Sequence, residues 1–212
     1  MIKQIWFDFG NIFIPIHPER TKEALLSRGV QLSEESLQQL NESYEIGALS
    51  TTEFLQDISF SCKFLQSSIA IKHAWNALLG RLEDHTLFLK KLGREYDLCL
   101  VSNTNDLHIK TIKDQAGPFL WNTFVERFDA LFLSYEIGKR KPESDYFNHV
   151  LKHMDAKPDE VLFIDDTIAN LESAASLGLH TWQFNIHDGN LEKELPTVLT
   201  KLNQSTASAL GM

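Results

Sequence analysis

The sequence is short of positive charge. Its 20 lysine and arginine residues are outnumbered by 29 aspartates and glutamates, which leaves a formal net charge of −9. Proteins that bind nucleic acids or anionic membranes carry basic faces, so we expect neither kind of partner. No apolar run approaches the roughly 20 residues of a membrane span. The first residues lack the charged and apolar regions of a signal peptide, and we predict a cytoplasmic location.

Cysteine is also scarce. Cys62 and Cys99 are far apart and lack the spacing of metal-binding pairs, so we expect two reduced and mostly buried thiols. Internal repeats and low-complexity segments are missing as well. With 212 residues and 43% hydrophobic content, the chain can build one full core and a smaller second domain.

What the sequence does contain is a series of short apolar runs separated by helical patterns. Such runs are typical of buried strands in a parallel sheet. Their alternation with helices predicts an α/β fold with a doubly wound parallel sheet and right-handed crossovers. The predicted strands are Ile5–Phe7, Leu98–Val101, Ala130–Leu133, Val161–Ile164 and His180–Phe184.

The segment after the first strand departs from this alternation. Its pattern is helical throughout, and Ser50 with Glu53 has the spacing of a capping box. Several helices inserted at this point do not belong to a doubly wound sheet. We therefore predict a small helical cap domain of residues 18–81 over a core domain of residues 1–17 and 82–212.

Three of the predicted strands end in polar side chains. Asp8 follows the first strand, Ser102 and Asn103 end the second, and Asp165 with Asp166 ends the run that starts at Val161. Parallel strands place their carboxyl ends at one edge of the sheet, and binding sites form just outside that edge. We therefore expect these side chains to lie together in a crevice.

Three carboxylates crowded at one edge need positive charge. One pair about 4 Å apart costs on the order of 4 kcal/mol at an effective dielectric constant of about 20. Lys141, in a loop before a helix, supplies one positive charge. A divalent cation is the natural second, and carboxylates with a backbone carbonyl suit a hard ion such as Mg²⁺.

These segments resemble, in the right order, the four motifs of the haloacid dehalogenase (HAD) superfamily. The resemblance covers nearly the whole chain, and the helical insert is similar to the C1 cap of that family. Within the superfamily, the sequence looks most like subfamily IA and its small sugar-phosphate phosphatases, such as glucose-1-phosphate phosphatase. The four motifs correspond to Asp8–Asn11, Val101–Asn103, Lys141–Pro142, and Phe163–Asp166 with Asn170.

The resemblance implies a Mg²⁺-dependent phosphatase acting on a small phosphorylated metabolite, a sugar phosphate, through an aspartyl-phosphate intermediate. Asp8 would be the nucleophile and a metal ligand. Gly10 would bind the metal through its backbone carbonyl, and Asp166 through its carboxylate. Asp165 would support the metal shell through water, and Asn170 would orient the acidic loop.

The same resemblance assigns the phosphate-binding residues. Ser102, the backbone of Asn103 and Lys141 would hold the oxygens of the transferring phosphoryl group. The protein's partner would then be a small phosphorylated metabolite, with the chain working as a monomer or a small homo-oligomer.

One position departs from the usual family pattern. Typical phosphatases of the family carry a second aspartate two residues after the nucleophile, which protonates the leaving group and later activates water. This chain has Gly10 there. An aspartate followed by glycine and asparagine recurs in the subgroup, so we still expect activity, with the acid/base unassigned. His17 is one candidate for that role, and a surface histidine near a helix start is the simpler interpretation.

Two alternative functions stay open at this point. A 2-haloacid dehalogenase also uses an aspartate, a serine and a lysine, but needs no metal, and the pair Asp165 and Asp166 argues against it. A catalytically weak HAD protein that binds a phosphorylated ligand has only Gly10 in its favour. Further residues that could reach the crevice, or else serve packing or solvation, are Tyr44, Glu45, Phe54, Trp75, His108, Lys139 and Arg140.

Overall fold

A five-stranded parallel sheet forms the centre of the protein. The computed structural model describes the backbone of residues 1–209 and the side chains of residues 1–204. In this part of the chain the strand order is β3-β2-β1-β4-β5, with every neighbouring pair parallel. The prediction of an α/β fold with a doubly wound parallel sheet is therefore confirmed. The strands are β1 (Gln4–Phe7), β2 (Asp97–Ser102), β3 (Ala130–Leu133), β4 (Val161–Asp165) and β5 (His180–Gln183).

The helices fall into two groups. Between β1 and β2 lie α1 (Pro18–Ser27), α2 (Glu34–Glu45), α3 (Thr51–Phe60), α4 (Ser68–Trp75) and α5 (Thr86–Leu92). The remaining helices follow the later strands: α6 (Asp106–Val125), α7 (Ser134–Ile137), α8 (Ser144–His153), α9 (Ile168–Ser176) and α10 (Leu191–Ala209). None of the described helices combines the length and apolar character that a bilayer crossing requires.

Each face of the sheet carries its own hydrophobic core. Successive residues of a strand point to opposite faces, and β1 divides accordingly. Ile5 and Phe7 join the cluster on one side and Trp6 joins the cluster on the other, all three with no exposed surface. Because both faces are covered, the apolar runs that predict the strands are explained by burial on both sides.

The helices α1 to α4 have a separate hydrophobic cluster. Its centre is Phe54, which stacks on Tyr44 and meets Trp75 edge to face. Ser50 and Glu53 form the predicted capping box at the start of α3. This separate cluster supports the predicted cap of residues 18–81, but the division into domains stays a prediction. The end of the predicted core domain, residues 210–212, lies outside the described residues.

The segment between β2 and β3 differs from the sequence prediction. Gly117 and Pro118 are residues that favour loops and predict a loop before β3, whereas the structure has helix on both sides of them. Gly117 alone leaves the helical conformation, with φ 75° and ψ 160°, so α6 is broken rather than absent. The side chain of Asn105 accepts a hydrogen bond from His108 N and caps the first half.

Two glycines with positive φ allow a matched test of how the cap and the core fit together. Gly47 (φ 70°) follows α2, and a Cβ there would lie 2.4 Å from the carbonyl oxygen of Tyr135 in α7. Gly117 (φ 75°) has open space around it. We expect Gly117→Ala to cost about 1–3 kcal/mol of unfolding free energy, from backbone strain alone. Gly47→Ala is expected to cost more, about 4 kcal/mol or above, because overpacking against a backbone carbonyl adds to the strain.

Urea denaturation of the two variants and the wild type measures this difference. Equal losses of unfolding free energy would contradict the close approach of α2 to α7.

Candidate active site

Three carboxylates meet at the carboxyl edge of the sheet. Asp8 follows β1, and Asp165 and Asp166 lie at the end of β4, whose Ile164 is in register with Phe7 of β1. One carboxylate oxygen of each aspartate lies within 4.8 Å of the others. The sequence prediction that these acids share one site agrees with this geometry. Such a cluster, with Asp165 fully buried, is unfavourable without positive charge.

Lys141 supplies positive charge inside this cluster. Its Nζ donates to Asp8 Oδ1 at 2.7 Å and to Asp165 Oδ2 at 2.7 Å, and the residue is 1% exposed. Burial lowers the pKa of Lys141, but the two carboxylates outweigh burial and raise it. Burial raises the pKa of Asp8, the charge of Lys141 opposes that shift, and the charge of Asp165 adds to it. The site therefore carries a buried charge network with more negative than positive groups.

Asn103 fixes the backbone of Lys141. Its Nδ2 donates to the Lys141 carbonyl oxygen at 2.7 Å, and its Oδ1 accepts from the Lys141 N–H at 2.9 Å. The sequence prediction assigned only the backbone of Asn103 and missed this side-chain role. Ser102, beside it, is 3% exposed, and its hydroxyl lies 3.5 Å from the Asn103 carbonyl oxygen.

Asp165 is held from behind by the start of α9. Asn170 Nδ2 donates to both of its carboxylate oxygens, at 3.2 and 3.0 Å, and the N–H of Thr167 donates to Oδ1 at 2.8 Å. Together with Lys141, these donors saturate the Asp165 carboxylate. Asp165 is therefore suited to orienting Lys141 and the acidic loop rather than to binding a ligand directly.

Asn11 orients the more accessible acid. Its Nδ2 donates to Asp166 Oδ2 at 2.8 Å, while its Oδ1 accepts from the N–H of Ile16 at 2.8 Å. Asn11 has φ 54°, a left-handed conformation that asparagine tolerates better than most residues. Asn11 was predicted only as part of the first motif. Its signal is the asparagine directly after glycine at a sharp turn.

Gly10 lies beside Ile16. A Cβ at Gly10 would lie 3.1 Å from Ile16 Cγ1, so a larger residue there requires Ile16 to move. The apolar side chain of Ile16 therefore packs against the position at which typical family members carry an acid. His17, the sequence candidate for that role, is not among the residues lining the cavity above the acids. Its Nδ1 lies 3.5 Å from Glu19 Oε1, and its ring packs against the ring of His187.

A cavity of about 660 Å³ opens above the acids. Asp165 does not line it and lies behind Lys141 instead. The wall formed by the sheet edge and its loops includes most of the sequence-predicted site residues. These are Asp8, Gly10, Ser102, Asn103, Lys141, Asp166 and Asn170.

Helices of the predicted cap, the loop of Arg140 and the start of α6 form the opposite wall. Of the further residues considered from sequence, Glu45, Trp75, His108 and Arg140 line the cavity. Burial raises the pKa of Glu45, and Arg140 opposes that shift. The other three do not line it. Tyr44 and Phe54 are buried in the cap cluster, and Lys139 is paired with Asp145 at 2.9 Å.

His108 is a neutral residue of this wall. Its ring stacks on Trp75, with ring centroids 5.8 Å apart, and Asn105 Nδ2 lies 3.1 Å from its Nδ1. An amide donor next to Nδ1 requires that nitrogen to be unprotonated. Burial lowers the pKa of His108 to about 4.

These features define an α/β enzyme whose acidic site lies at the carboxyl edge of a parallel sheet. A family model described as haloacid dehalogenase-like hydrolase matches residues 20–178, and the chain belongs to this family. The predicted family is thereby confirmed.

Named relatives share most of the chain. D-ribitol-5-phosphate phosphatase of Bacteroides thetaiotaomicron is 27% identical over 189 residues, or 86% of this chain and 92% of that protein. Glyceraldehyde 3-phosphate phosphatase of Methanocaldococcus jannaschii is 24% identical over 199 residues, or 85% and 84%. A solved HAD-family enzyme from B. thetaiotaomicron, in complex with magnesium and inorganic phosphate, has a TM-score of 0.80 and 31% identity. That similarity covers 89% of this chain and 97% of that one.

The low pKa of His108 predicts a pH dependence of stability. Between about pH 4 and 6.5 the unfolded chain binds a proton at this histidine that the folded chain does not bind. The free energy of unfolding therefore rises with pH across this window, by up to about 3 kcal/mol. Above the window this contribution of His108 is complete. We expect His108→Gln to remove this part of the rise. Chemical denaturation at pH 4.5, 5.5 and 7 measures it.

The matching control is His73→Gln, at an exposed position of α4. It is expected to keep the wild-type dependence on pH. If His108→Gln also keeps the wild-type dependence on pH, the assignment of His108 as a buried, neutral histidine is wrong.

Proposed function

We propose that this protein is a Mg²⁺-dependent phosphatase that hydrolyses phosphate monoesters of small metabolites, with sugar phosphates as the expected class. The observation that carries the proposal is the charge network at the base of the cavity. Asp8, Asp165 and Asp166 surround one site, and Lys141 contacts two of them at 2.7 Å. Such a site can both attack a phosphoryl group and bind its oxygens.

Asp8 is the proposed nucleophile. It follows the central strand β1, which is completely buried, so rigid backbone fixes the carboxylate at the cavity. An oxygen of Asp8 forms a bond to phosphorus as the bond from phosphorus to the ester oxygen breaks, which gives an aspartyl-phosphate and an alkoxide that takes a proton from water and leaves as the alcohol. Water then cleaves the aspartyl-phosphate, so that inorganic phosphate leaves and the carboxylate returns.

The residues at the sheet edge fit a magnesium ion. Three carboxylates against one lysine leave an excess of negative charge, and carboxylate oxygens are hard ligands of the kind Mg²⁺ prefers. Asp8, Asp166 and the carbonyl of Gly10 would hold the ion, while Asp165 and Asn170 support them from behind. Bound there, the ion supplies positive charge next to the phosphoryl oxygens.

The phosphoryl group is assigned to residues of the second and third motifs. The hydroxyl of Ser102, the backbone of Asn103 and the ammonium group of Lys141 line the cavity next to Asp8. Hydrogen-bond donors already in place stabilise the charge that develops on phosphoryl oxygens during transfer. Asn103 contributes twice, because its side chain also fixes the backbone of Lys141.

The relatives support the same chemistry. Two of them are named as phosphatases of ribitol 5-phosphate and glyceraldehyde 3-phosphate, and a similar solved structure contains magnesium and phosphate. Dehalogenation explains the site less well, because it needs no metal and so leaves the charge of Asp166, in the cavity wall, without a use and facing an anionic substrate. Mere binding of a phosphorylated ligand leaves the buried Asp8 and its lysine contact unexplained.

Several broader parts belong to the same proposal. We keep the cap of residues 18–81, the core domain of residues 1–17 and 82–212, a cytoplasmic location and a monomer or small homo-oligomer. The net charge of −9 supports the absence of nucleic-acid and anionic-membrane partners.

A panel of phosphorylated metabolites, assayed for phosphate release with Mg²⁺ and with EDTA, tests the function. We expect Mg²⁺-dependent release by the wild type. In Asp8→Asn the rate is expected to fall by about 1,000-fold or more, since the nucleophile is lost. Asp159→Asn, an exposed aspartate before β4, is the control and keeps wild-type activity. Turnover that survives in Asp8→Asn contradicts the assignment.

Lys141 gives a second test, which does not depend on turnover. In EDTA, Lys141→Met leaves the buried carboxylates uncompensated, and we expect a loss of about 3–5 kcal/mol of unfolding free energy. Mg²⁺ is expected to restore more stability in this variant than in the wild type. Lys139→Met is the control, because that lysine pairs with a carboxylate whose side chain is 74% exposed. Equal free energies of unfolding of Lys141→Met and Lys139→Met in EDTA would contradict the charge network.

A further inference from the structure

One face of the cap helix α2 turns polar side chains toward the cavity. Gln38, Asn41, Glu42 and Glu45 all line the cavity. Their spacing of three, four and seven residues places them on a single helical face. We refer to these four residues as the α2 polar face. Gln38 is exposed and the other three residues are half-buried, so their polar groups are open to a polar ligand in the cavity.

Arg140 joins the α2 polar face to the core. Its Nη1 lies 3.2 Å from Glu42 Oε1, its Nη2 lies 3.1 Å from Glu45 Oε2, and its Nε donates to Glu45 Oε2 at 3.2 Å. One guanidinium group is thus shared by two carboxylates. The local charge is negative, and Arg140 has no excess charge to offer to a ligand.

The amide donors of the α2 polar face are also engaged. Gln38 Nε2 donates to Glu42 Oε1 at 3.0 Å, and Asn41 Nδ2 donates to Glu45 Oε1 at 2.9 Å. In contrast, Asn41 Oδ1 is a buried acceptor with no partner in the part of the chain that the structure describes. A buried acceptor without a donor is unfavourable. The α2 polar face therefore offers acceptors and is completed by a ligand that donates hydrogen bonds.

The charged residues in the rest of the cavity also favour a ligand without a second anionic group. The charged residues among those that line it include two cations, and both already contact carboxylates. Lys141 pairs with Asp8 and Asp165, and Arg140 pairs with Glu42 and Glu45. A second anionic group on a substrate would meet Glu42 and Glu45, and among the described residues that line the cavity no free cation is left to balance it.

We propose, building on the phosphatase function above, that the α2 polar face selects an uncharged, hydroxyl-rich leaving group. The substrate class is then the monophosphates of polyols, with a second phosphate or a carboxylate excluded. A hydroxyl group can donate to Asn41 Oδ1 and to the carboxylates, whereas an anionic group brings only further acceptors. Asn41, Glu42 and Glu45 are thus residues that determine specificity, at the wall opposite Asp8.

Three small phosphates separate the parts of this proposal. Glycerol 3-phosphate has two free hydroxyl groups, 3-phosphoglycerate has a carboxylate in place of one of them, and n-propyl phosphate has neither. Calorimetric titration with Mg²⁺ uses Asp8→Asn, in which the ester is not consumed. We expect glycerol 3-phosphate to bind at least about tenfold more tightly than either of the others.

Variants of α2 assign the effect to residues. In the Asp8→Asn background, Glu42→Gln removes one charge that repels the carboxylate. We therefore expect the ratio of the dissociation constants of 3-phosphoglycerate and glycerol 3-phosphate to fall by about tenfold. Asn41→Leu is expected to remove most of the preference for glycerol 3-phosphate over n-propyl phosphate. Glu35→Gln is the control, because it makes the same change at an exposed position of α2. It is expected to keep the wild-type ratios of the dissociation constants of the three phosphates. A folding defect alone weakens all three ligands and leaves their ratios unchanged.

The outcomes for this proposal and for the phosphatase function are separate. Equal or tighter binding of 3-phosphoglycerate, or equal ratios in Glu42→Gln and Glu35→Gln, overturns the selectivity proposal. The binding order tests it even if the wild type releases no phosphate from any ester, a result that overturns the phosphatase function instead.

Discussion

The clustering of three carboxylates, two of them buried, around one buried lysine is the constraint on which the site depends. Lys141 contacts Asp8 and Asp165 at 2.7 Å and is almost fully buried. Neither the acids nor the lysine would be tolerated there alone. The network still has an excess of negative charge, which gives this edge of the sheet its affinity for a divalent cation. The parallel sheet delivers Asp8 and Asp165 to the same edge, where Asn170 donates to Asp165 and Asn11 donates to Asp166.

Much of the fold and of this charge network can be predicted from the sequence. The five strands are short apolar runs because both faces of the sheet are covered. The acids can be predicted to meet because parallel strands share one carboxyl edge. Lys141 follows from charge balance. These inferences succeed because they depend on local pattern and on one simple rule of topology.

The remainder could not be predicted, because it depends on how distant elements pack. No local pattern pairs Arg140 with Glu42 and Glu45, since their contact depends on where the cap helix lies over the core. The side-chain role of Asn103 similarly requires the loop of Lys141 to lie against β2. In α6 the local signal at Gly117 breaks the helix at one residue without producing a loop, and helix continues on both sides. The proposed enzyme has a wall at the sheet edge suited to phosphoryl transfer and a wall formed by α2 suited to selecting the leaving group.

The charge network predicts one divalent cation at the sheet edge, and crystals grown with Mn²⁺ in place of Mg²⁺ test this most directly. The account predicts an anomalous-scattering peak in contact with the carboxylates of Asp8 and Asp166 and the carbonyl of Gly10, with Lys141 still paired to Asp165. Crystals that bind Mn²⁺ elsewhere, or show no peak beside Asp8, would contradict it.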